Sequence, residues 1–311
     1  ACCAIAMIVG LCILMGGMMH AGGGFNKIMS YISTQHPDML EPLSRGKMPI
    51  SLYISQWLLV GICTLSLPQS VVRGISYKDT KALHNAMIIG TVVIGAMTLV
   101  ATWIGVISKG VLTAPITAYG NSVDNIMPIA IVHSLTPFWA GVIIIGPIAA
   151  TISTVSSLLL SSSSSIVKDV YMNIKGKREE QLTNNQIRLY SLSATIILGL
   201  FVYAIAIKPP SVIWQINMFA FGGLETAFFW VLIFGLFWPK ANKCGAIAAM
   251  GGGVIIYCLA MVLKIKVLDL HQIVLGIGLS LLCFFIGNSF GKTVDEKTLR
   301  IFFPEKFDDE E

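Results

Sequence analysis

The sequence predicts an all-α, polytopic membrane protein, and three observations support this prediction. Of its 311 residues, 55% are hydrophobic and only 12% are charged, whereas a soluble domain usually carries about 25% charged residues. The mean hydropathy is +0.78. Apolar runs of about 20 residues, long enough to cross ~30 Å of hydrocarbon as a helix, recur along the chain. We therefore expect residues 1–311 to form a single transmembrane domain.

Eight apolar runs are predicted to be spanning helices. They are 1–20, 51–74, 86–108, 138–165, 189–207, 212–238, 243–263 and 270–290. The two longest connections, 21–50 and 109–137, are long enough to contain short helices or lids. The first run begins at Ala1 with no polar or charged residue before it. We therefore expect the chain to be the C-terminal portion of a longer protein.

The basic residues predict the orientation of the spans. Short cytoplasmic loops carry an excess of Lys and Arg, and here one side of the membrane would hold about twice as many as the other. The basic side includes the C-terminal tail, which we therefore expect to be cytoplasmic. Because the basic residues lie in short loops between apolar runs, the net charge of +5 does not indicate a nucleic-acid partner.

The segment 146–171 is long enough to span a bilayer, yet it is rich in hydroxyl groups: GPIAATISTVSSLLLSSSSSIVKDVY. Within it, Ala150, Ser153 and Thr154 are spaced i, i+3 and i+4 and share one helix face. Oxygen atoms on one face suit a hard monovalent cation. Alternatively, these hydroxyl groups donate to preceding carbonyls of their own helix or allow close helix packing.

A second segment, 56–79, contains two residues that interrupt helices. Gly61 and Pro68 could break the second predicted span and free backbone groups that lipid cannot satisfy. In transporters, broken helices of this kind line the substrate site. The alternative is that Pro68 produces an ordinary, tolerated kink.

In the third segment, 212–238, Glu225 is the only acidic residue deep within a predicted span. Burying a carboxylate in a bilayer is costly, so Glu225 should be functional, paired or protonated. Gly222 and Gly223 beside it would permit close helix approach or local unwinding.

The sequence contains no pattern typical of an enzyme. HExxH and P-loop motifs are absent, and the seven cysteines show no CxxC spacing. We therefore predict no catalytic residues and no cofactor. A membrane-embedded enzyme or a sensor module would need a catalytic set or a signalling domain, and the sequence indicates neither.

Four stretches resemble a known family. AATISTVSSLLLSSSSSIVKDVY resembles the sodium-site helix of the solute:sodium symporters, and GLFWPKANKCGAIAAMGGG resembles the signature near the end of that family. LPQSVVRGISYKDTKALH and FAFGGLETAFFWVLIFGLFW resemble its sodium/pantothenate branch. The likeness extends over essentially the whole chain. Gly251 departs from the signature, which usually has a larger apolar residue there.

The resemblance implies a fold and a sodium site. The family is similar to the LeuT-type inverted-repeat transporter fold, of which this chain would hold the second half only. The sodium ligands of the family match the carbonyl of Ala150 and the hydroxyls of Ser153 and Thr154. The remaining ligands would come from the first core helix, which this chain lacks.

The resemblance also implies a function. Sodium would be the coupling ion for the import of pantothenate by alternating access, across a bacterial inner membrane. A solute such as proline or a sugar is the alternative substrate within the same family. The matching positions give six candidate substrate-binding residues: Thr64, Ser66 and Gln69 on the broken helix, with Asn217, Phe221 and Glu225 opposite.

Overall fold

The computed structural model describes residues 2–75, 77–175 and 183–303, and within these ranges the chain forms helices and turns without any strand. The α-helices are α1 (Cys2–Ala21), α2 (Phe25–Gln35), α3 (Leu43–Gly46), α4 (Ile50–Gly61), α5 (Pro68–Ile75), α6 (Thr80–Val111), α7 (Ile126–Ser134), α8 (Pro137–Ser165), α9 (Asn173–Lys175), α10 (Asn184–Ile207), α11 (Ile213–Phe237), α12 (Lys243–Val262), α13 (Gln272–Phe290) and α14 (Glu296–Phe302). The predicted all-α fold class is confirmed. The tail after Phe303, for which the sequence predicts a cytoplasmic position, lies outside the described residues.

Six helices in the described part of the chain are long and apolar enough to cross a membrane. They are α6, α8 with its continuation to Met172, α10, α11, α12 and α13. This pattern is that of a multi-pass membrane protein. Of the two remaining predicted spans, 1–20 forms the helix α1, which a sharp bend joins to α2. The run 51–74 is divided between α4, a 3₁₀ turn and α5, and the number of eight spans stays a prediction.

The first predicted span is followed by a sharp bend. The segment Ile5–Ala21 and helix α2 meet at 75°. Gly23 and Gly24 at the bend have φ angles of 77° and 101°, a region that glycine adopts without a steric penalty. Helix α2 lies within the predicted connection 21–50, and α7 with two short 3₁₀ turns lies within 109–137. The short helices expected in both connections are therefore present.

One compact unit comprises residues 2–36 and 92–213. Helix α1 packs against α7 and α8, and α8 packs against α10. The core of this unit contains fully buried aliphatic side chains from several helices, among them Leu14, Met18, Ile32 and Ile107. This packing holds α8, the helix with the candidate sodium ligands.

The other compact unit comprises residues 37–91 and 214–303. Its centre is the close pair α12 and α13. Gly245, Ala249 and Gly253 recur every four residues on α12 and are buried, so they form the kind of small-residue stripe that lets helix backbones approach. On α13, the Ser280 hydroxyl lies 3.0 Å from both the Ala249 and the Thr226 carbonyl oxygens. Ser280 therefore joins α13 to α12 and to α11.

Helix α4 is attached to the start of α13. The backbone N–H of His271 donates to the Ser55 hydroxyl at 2.8 Å, and Ser55 is 1% exposed. His271 also caps α13, because its Nδ1 accepts from the Ile273 N–H at 3.2 Å. These bonds place the broken segment that follows α4 beside α13.

Candidate functional site

The candidate sodium ligands lie in the middle of α8, in the first unit. Ala150 is half-buried, and Ser153 and Thr154 are exposed. The Thr154 hydroxyl donates to the Ala150 carbonyl at 3.1 Å. The helix therefore brings two of the three proposed oxygen ligands together. This bond is of the kind expected under the alternative interpretation, in which the hydroxyl groups donate to preceding carbonyls of their own helix.

Hydrogen bonds of this kind are general on the exposed part of α8. Thr151 donates to the Pro147 carbonyl at 2.8 Å, and Ser156 donates to the Ile152 carbonyl at 2.7 Å. Ser153 differs, because its hydroxyl makes no hydrogen bond within the described residues. A cation bound here would take the place of the Thr154 bond and use the Ser153 oxygen that is already available.

The end of α8 is irregular. Residues Ile166–Met172 continue it as a π-helix, a form that occurs frequently at functional sites. Just before this segment, the buried Ser163 hydroxyl accepts a hydrogen bond from the Thr195 hydroxyl of α10 at 2.8 Å. The Ser163 hydroxyl thus contributes to the packing of α8 against α10.

The predicted break in the second span is confirmed. Helix α4 ends at Gly61, a 3₁₀ turn covers Cys63–Ser66, and α5 starts at Pro68. Leu67 between them is extended, with φ −63° and ψ 128°, as expected for a residue before proline. Because proline also has no N–H to donate and its ring crowds the preceding turn, Pro68 favours a break of the helix at this position.

The polar candidates at this break are bonded within the segment itself. The Thr64 hydroxyl donates to the Val60 carbonyl at 2.6 Å, and the Ser66 hydroxyl donates to the Cys63 carbonyl at 2.6 Å. Ser66 is only 2% exposed, whereas Thr64 and Gln69 are half-buried. Two of the carbonyl groups near the break are therefore satisfied by side chains. A substrate would have to replace these local bonds to use either hydroxyl.

The candidates on α11 follow one face of the helix at four-residue intervals. Asn217 is exposed, Phe221 is half-buried and Glu225 is 0% exposed. In the described part of the chain, neither Glu225 carboxyl oxygen has a hydrogen-bond partner. This face of α11 therefore has an exposed amide at Asn217 and a buried carboxyl group at Glu225.

The structure brings the break and α11 together in the second unit. Cys63 and Met218 belong to one apolar cluster, which also contains Leu59, Tyr257 and Ile277. Glu225 lies within electrostatic range of the Cys63 thiol and of Tyr257. All six candidate substrate residues thus lie in the second unit, and the three sodium candidates lie in the first.

Sequence analysis missed Tyr257, which is fully buried and donates to the Met218 carbonyl at 3.0 Å. A Cβ on Gly222 would overlap the Tyr257 hydroxyl, so the glycine beside the candidate face makes room for this ring. One signal could have identified Tyr257. It continues the four-residue spacing of Gly245, Ala249 and Gly253 on α12.

Comparison with protein families gives one match. Residues 2–253 match the sodium:solute symporter family. This range contains all nine candidate site residues named above.

Similar curated proteins include two sodium/pantothenate symporters. The one from Escherichia coli (strain K12) is 37% identical over 301 residues, which are 95% of this chain and 60% of the relative. The one from Haemophilus influenzae is 34% identical over 293 residues, which are 94% and 59% of the two proteins. The osmoregulated proline transporter OpuE of Bacillus subtilis is 24% identical over 286 residues, 90% of this chain and 56% of the relative. The chain thus spans about 60% of the length of the two symporters.

Proposed function

Because this chain belongs to the sodium:solute symporter family, we propose that it is the part of a secondary transporter in which sodium entry drives the uptake of pantothenate. The observation that carries this proposal is the similarity to two sodium/pantothenate symporters, at 37% and 34% identity over nearly the whole chain. The proline transporter is similar at only 24%. The named relatives are transporters, which supports a role in transport rather than catalysis.

The proposed sodium ligands are the Ala150 carbonyl and the Ser153 and Thr154 hydroxyls. Sodium binding would break the 3.1 Å hydrogen bond between Thr154 and Ala150. The ion would then coordinate both of these oxygen atoms. Three oxygens on one helix are an incomplete shell for a hard cation, so the other ligands come from another part of the transporter. Sodium favours one transport state only through its higher affinity for that state. Sodium therefore stabilises the transport state in which the ligands from the other part of the transporter lie opposite α8.

The proposed substrate region combines the break after α4 with the Asn217, Phe221 and Glu225 face of α11. Pantothenate carries one carboxylate, one amide and two hydroxyl groups, so its site needs several donors and acceptors. Gln69 and Asn217 have amide groups that can supply both, and Thr64 and Ser66 can do so when their local bonds open. The LeuT-type fold, in which such a break lies near the bilayer midplane, is part of this proposal. We also propose that the protein lies in the bacterial inner membrane with its C-terminus in the cytoplasm.

Competition for uptake tests the substrate. Labelled pantothenate is offered to cells that express the natural-length protein and lack their own pantothenate uptake. We expect excess unlabelled pantothenate to lower uptake at least about tenfold, the reduction that a competing ligand far above its dissociation constant produces. Proline and a neutral sugar should leave uptake unchanged. If these cells take up labelled proline or a labelled sugar in a sodium-dependent way but do not take up labelled pantothenate, the substrate assignment is wrong while the family assignment stands.

A further inference from the structure

Glu225 is the buried group whose surroundings are least explained by a role in substrate binding alone. It lies in the middle of α11, is 0% exposed, and neither of its carboxyl oxygens has a hydrogen-bond partner among the described residues. No ion pair of the described residues involves it. An ionised carboxylate in this position would be buried without a donor from these residues, which is strongly unfavourable.

Two hydroxyl groups near Glu225, one on the next residue of α11 and one on α12, already donate to backbone carbonyl groups. Tyr257 donates to the Met218 carbonyl at 3.0 Å, and Thr226 donates to the Gly223 carbonyl at 3.0 Å. Each hydroxyl has one proton to donate. Neither can therefore stabilise a negative charge on Glu225 without giving up its present bond.

The titratable groups around Glu225 are also unable to balance a charge. From the 3₁₀ turn at the break comes the Cys63 thiol, and from α12 comes the Tyr257 phenol. Both are ordinarily neutral at pH 7. From α13, the buried Ser280 hydroxyl donates to the carbonyl of Thr226, the residue after Glu225. Within the described residues, none of these neighbouring groups is a cation and Glu225 forms no ion pair.

A metal cation does not fit this position well. Sodium requires several oxygen ligands, whereas the two side chains near Glu225, Cys63 and Tyr257, belong to an apolar cluster with Leu59 and Met218. A proton needs only one carboxyl oxygen. It is the cation that removes the charge of Glu225 without any further ligand.

We propose that Glu225 is a proton-binding site of this transporter, distinct from the sodium site predicted on α8. In the state described here the carboxyl group is neutral. When the transport cycle opens the packing at Cys63 to the side on which the solute is released, water enters, the O–H bond of Glu225 breaks and the proton passes to that water, leaving a hydrated carboxylate. After the transporter has changed to the state that is open to the opposite side, the carboxylate takes one proton from the water there, and the packing then closes over the neutral carboxyl group. Each cycle then moves one proton along with sodium and solute.

Infrared spectroscopy of the purified natural-length protein in lipid tests the protonation directly, without any transport. We expect the native protein at pH 7 to show the C=O stretch of a protonated carboxyl group and Glu225→Gln to lack it. Glu296→Gln is the matched control, because it removes a surface carboxylate that pairs with Arg300 at 2.9 Å, and it should keep the band. Glutamine has the size of a neutral glutamic acid, and Glu225→Asp, which should shift the band, provides a second variant. If the native protein has no such band at pH 7, the proposal is overturned.

A transport measurement tests the coupling, and this part rests on the proposed function. Proteoliposomes that contain a pH-sensitive dye are given a sodium gradient and labelled pantothenate. We expect the lumen to acidify in proportion to uptake in the native protein and in Glu296→Gln. Per pantothenate taken up, this acidification should be lost in Glu225→Gln. Equal acidification per pantothenate in native protein and Glu225→Gln would overturn the proposal. If the native protein takes up pantothenate without sodium, or takes up none, the proposed function is contradicted instead. The infrared measurement alone would then test whether Glu225 binds a proton.

Discussion

Replacing Ser153 and Thr154 together by alanine is expected to raise the sodium concentration for half-maximal uptake at least about tenfold. The double variant removes two of the three oxygen ligands proposed on α8. A hydrogen bond or ligand to a charged group contributes about 1.5–3 kcal/mol, and about 1.4 kcal/mol corresponds to a factor of ten. The measurement is labelled pantothenate uptake as a function of sodium concentration.

The double variant Thr151→Ala with Ser156→Ala is the matched control. These two hydroxyls lie on the same helix and also donate to preceding carbonyls, at 2.8 Å and 2.7 Å. They stand about 100° away from the face shared by Ala150, Ser153 and Thr154. Their loss should leave the sodium dependence unchanged. An equal effect of both double variants would show that hydroxyl groups on α8 act through helix structure and not as ligands.

The second large effect is expected for Gly253→Ala, which should lower the free energy of unfolding by about 1–3 kcal/mol, the usual cost of overpacking. A Cβ at this position would lie 2.5 Å from the Thr226 carbonyl oxygen and 2.9 Å from the Ser280 hydroxyl oxygen. Because the first of these contacts is to backbone, α11 and α12 must move apart. The Ser280 bridge between α11, α12 and α13 would be disturbed as well.

Gly251→Ala is the control for this prediction, since it lies two residues away on the same helix and a Cβ there meets nothing within 4 Å. Alanine is favoured over glycine in a helix by about 0.5–1 kcal/mol, so this variant should be neutral or slightly more stable. Thermal unfolding of the purified proteins, followed by tryptophan fluorescence, measures the difference. Equal unfolding temperatures for the two variants would contradict the close packing of α11 and α12.

The sequence predicts the helical architecture well where apolar length alone decides it. Within the described residues, seven of the eight apolar runs form continuous helices. The second run is broken near Pro68, as expected for a residue that has no N–H to donate. The bend between Ala21 and Phe25 was not predicted. Glycines at 22–24 allow such a bend, but their presence does not determine whether the chain turns sharply there.

Only those features of the candidate site that follow from the spacing of residues along a helix could be predicted from the sequence. The shared face of Ala150, Ser153 and Thr154 follows from that spacing, whereas the local bonds of Thr64 and Ser66 depend on the backbone conformation at the break. The burial of Glu225 beside Tyr257 depends on packing between helices that are distant in sequence. A single sequence does not show such contacts. That the isolated acidic residue in an apolar run is functional, paired or protonated stays a prediction.

Uptake driven by an imposed ion gradient tests the central claim most directly. The natural-length protein in proteoliposomes is given labelled pantothenate with an inward gradient of either sodium or potassium. We expect the sodium gradient to produce accumulation above the external concentration, and the potassium gradient to allow no more than equilibration. Equal accumulation under both gradients, or none under sodium, would contradict sodium-coupled pantothenate transport by this protein.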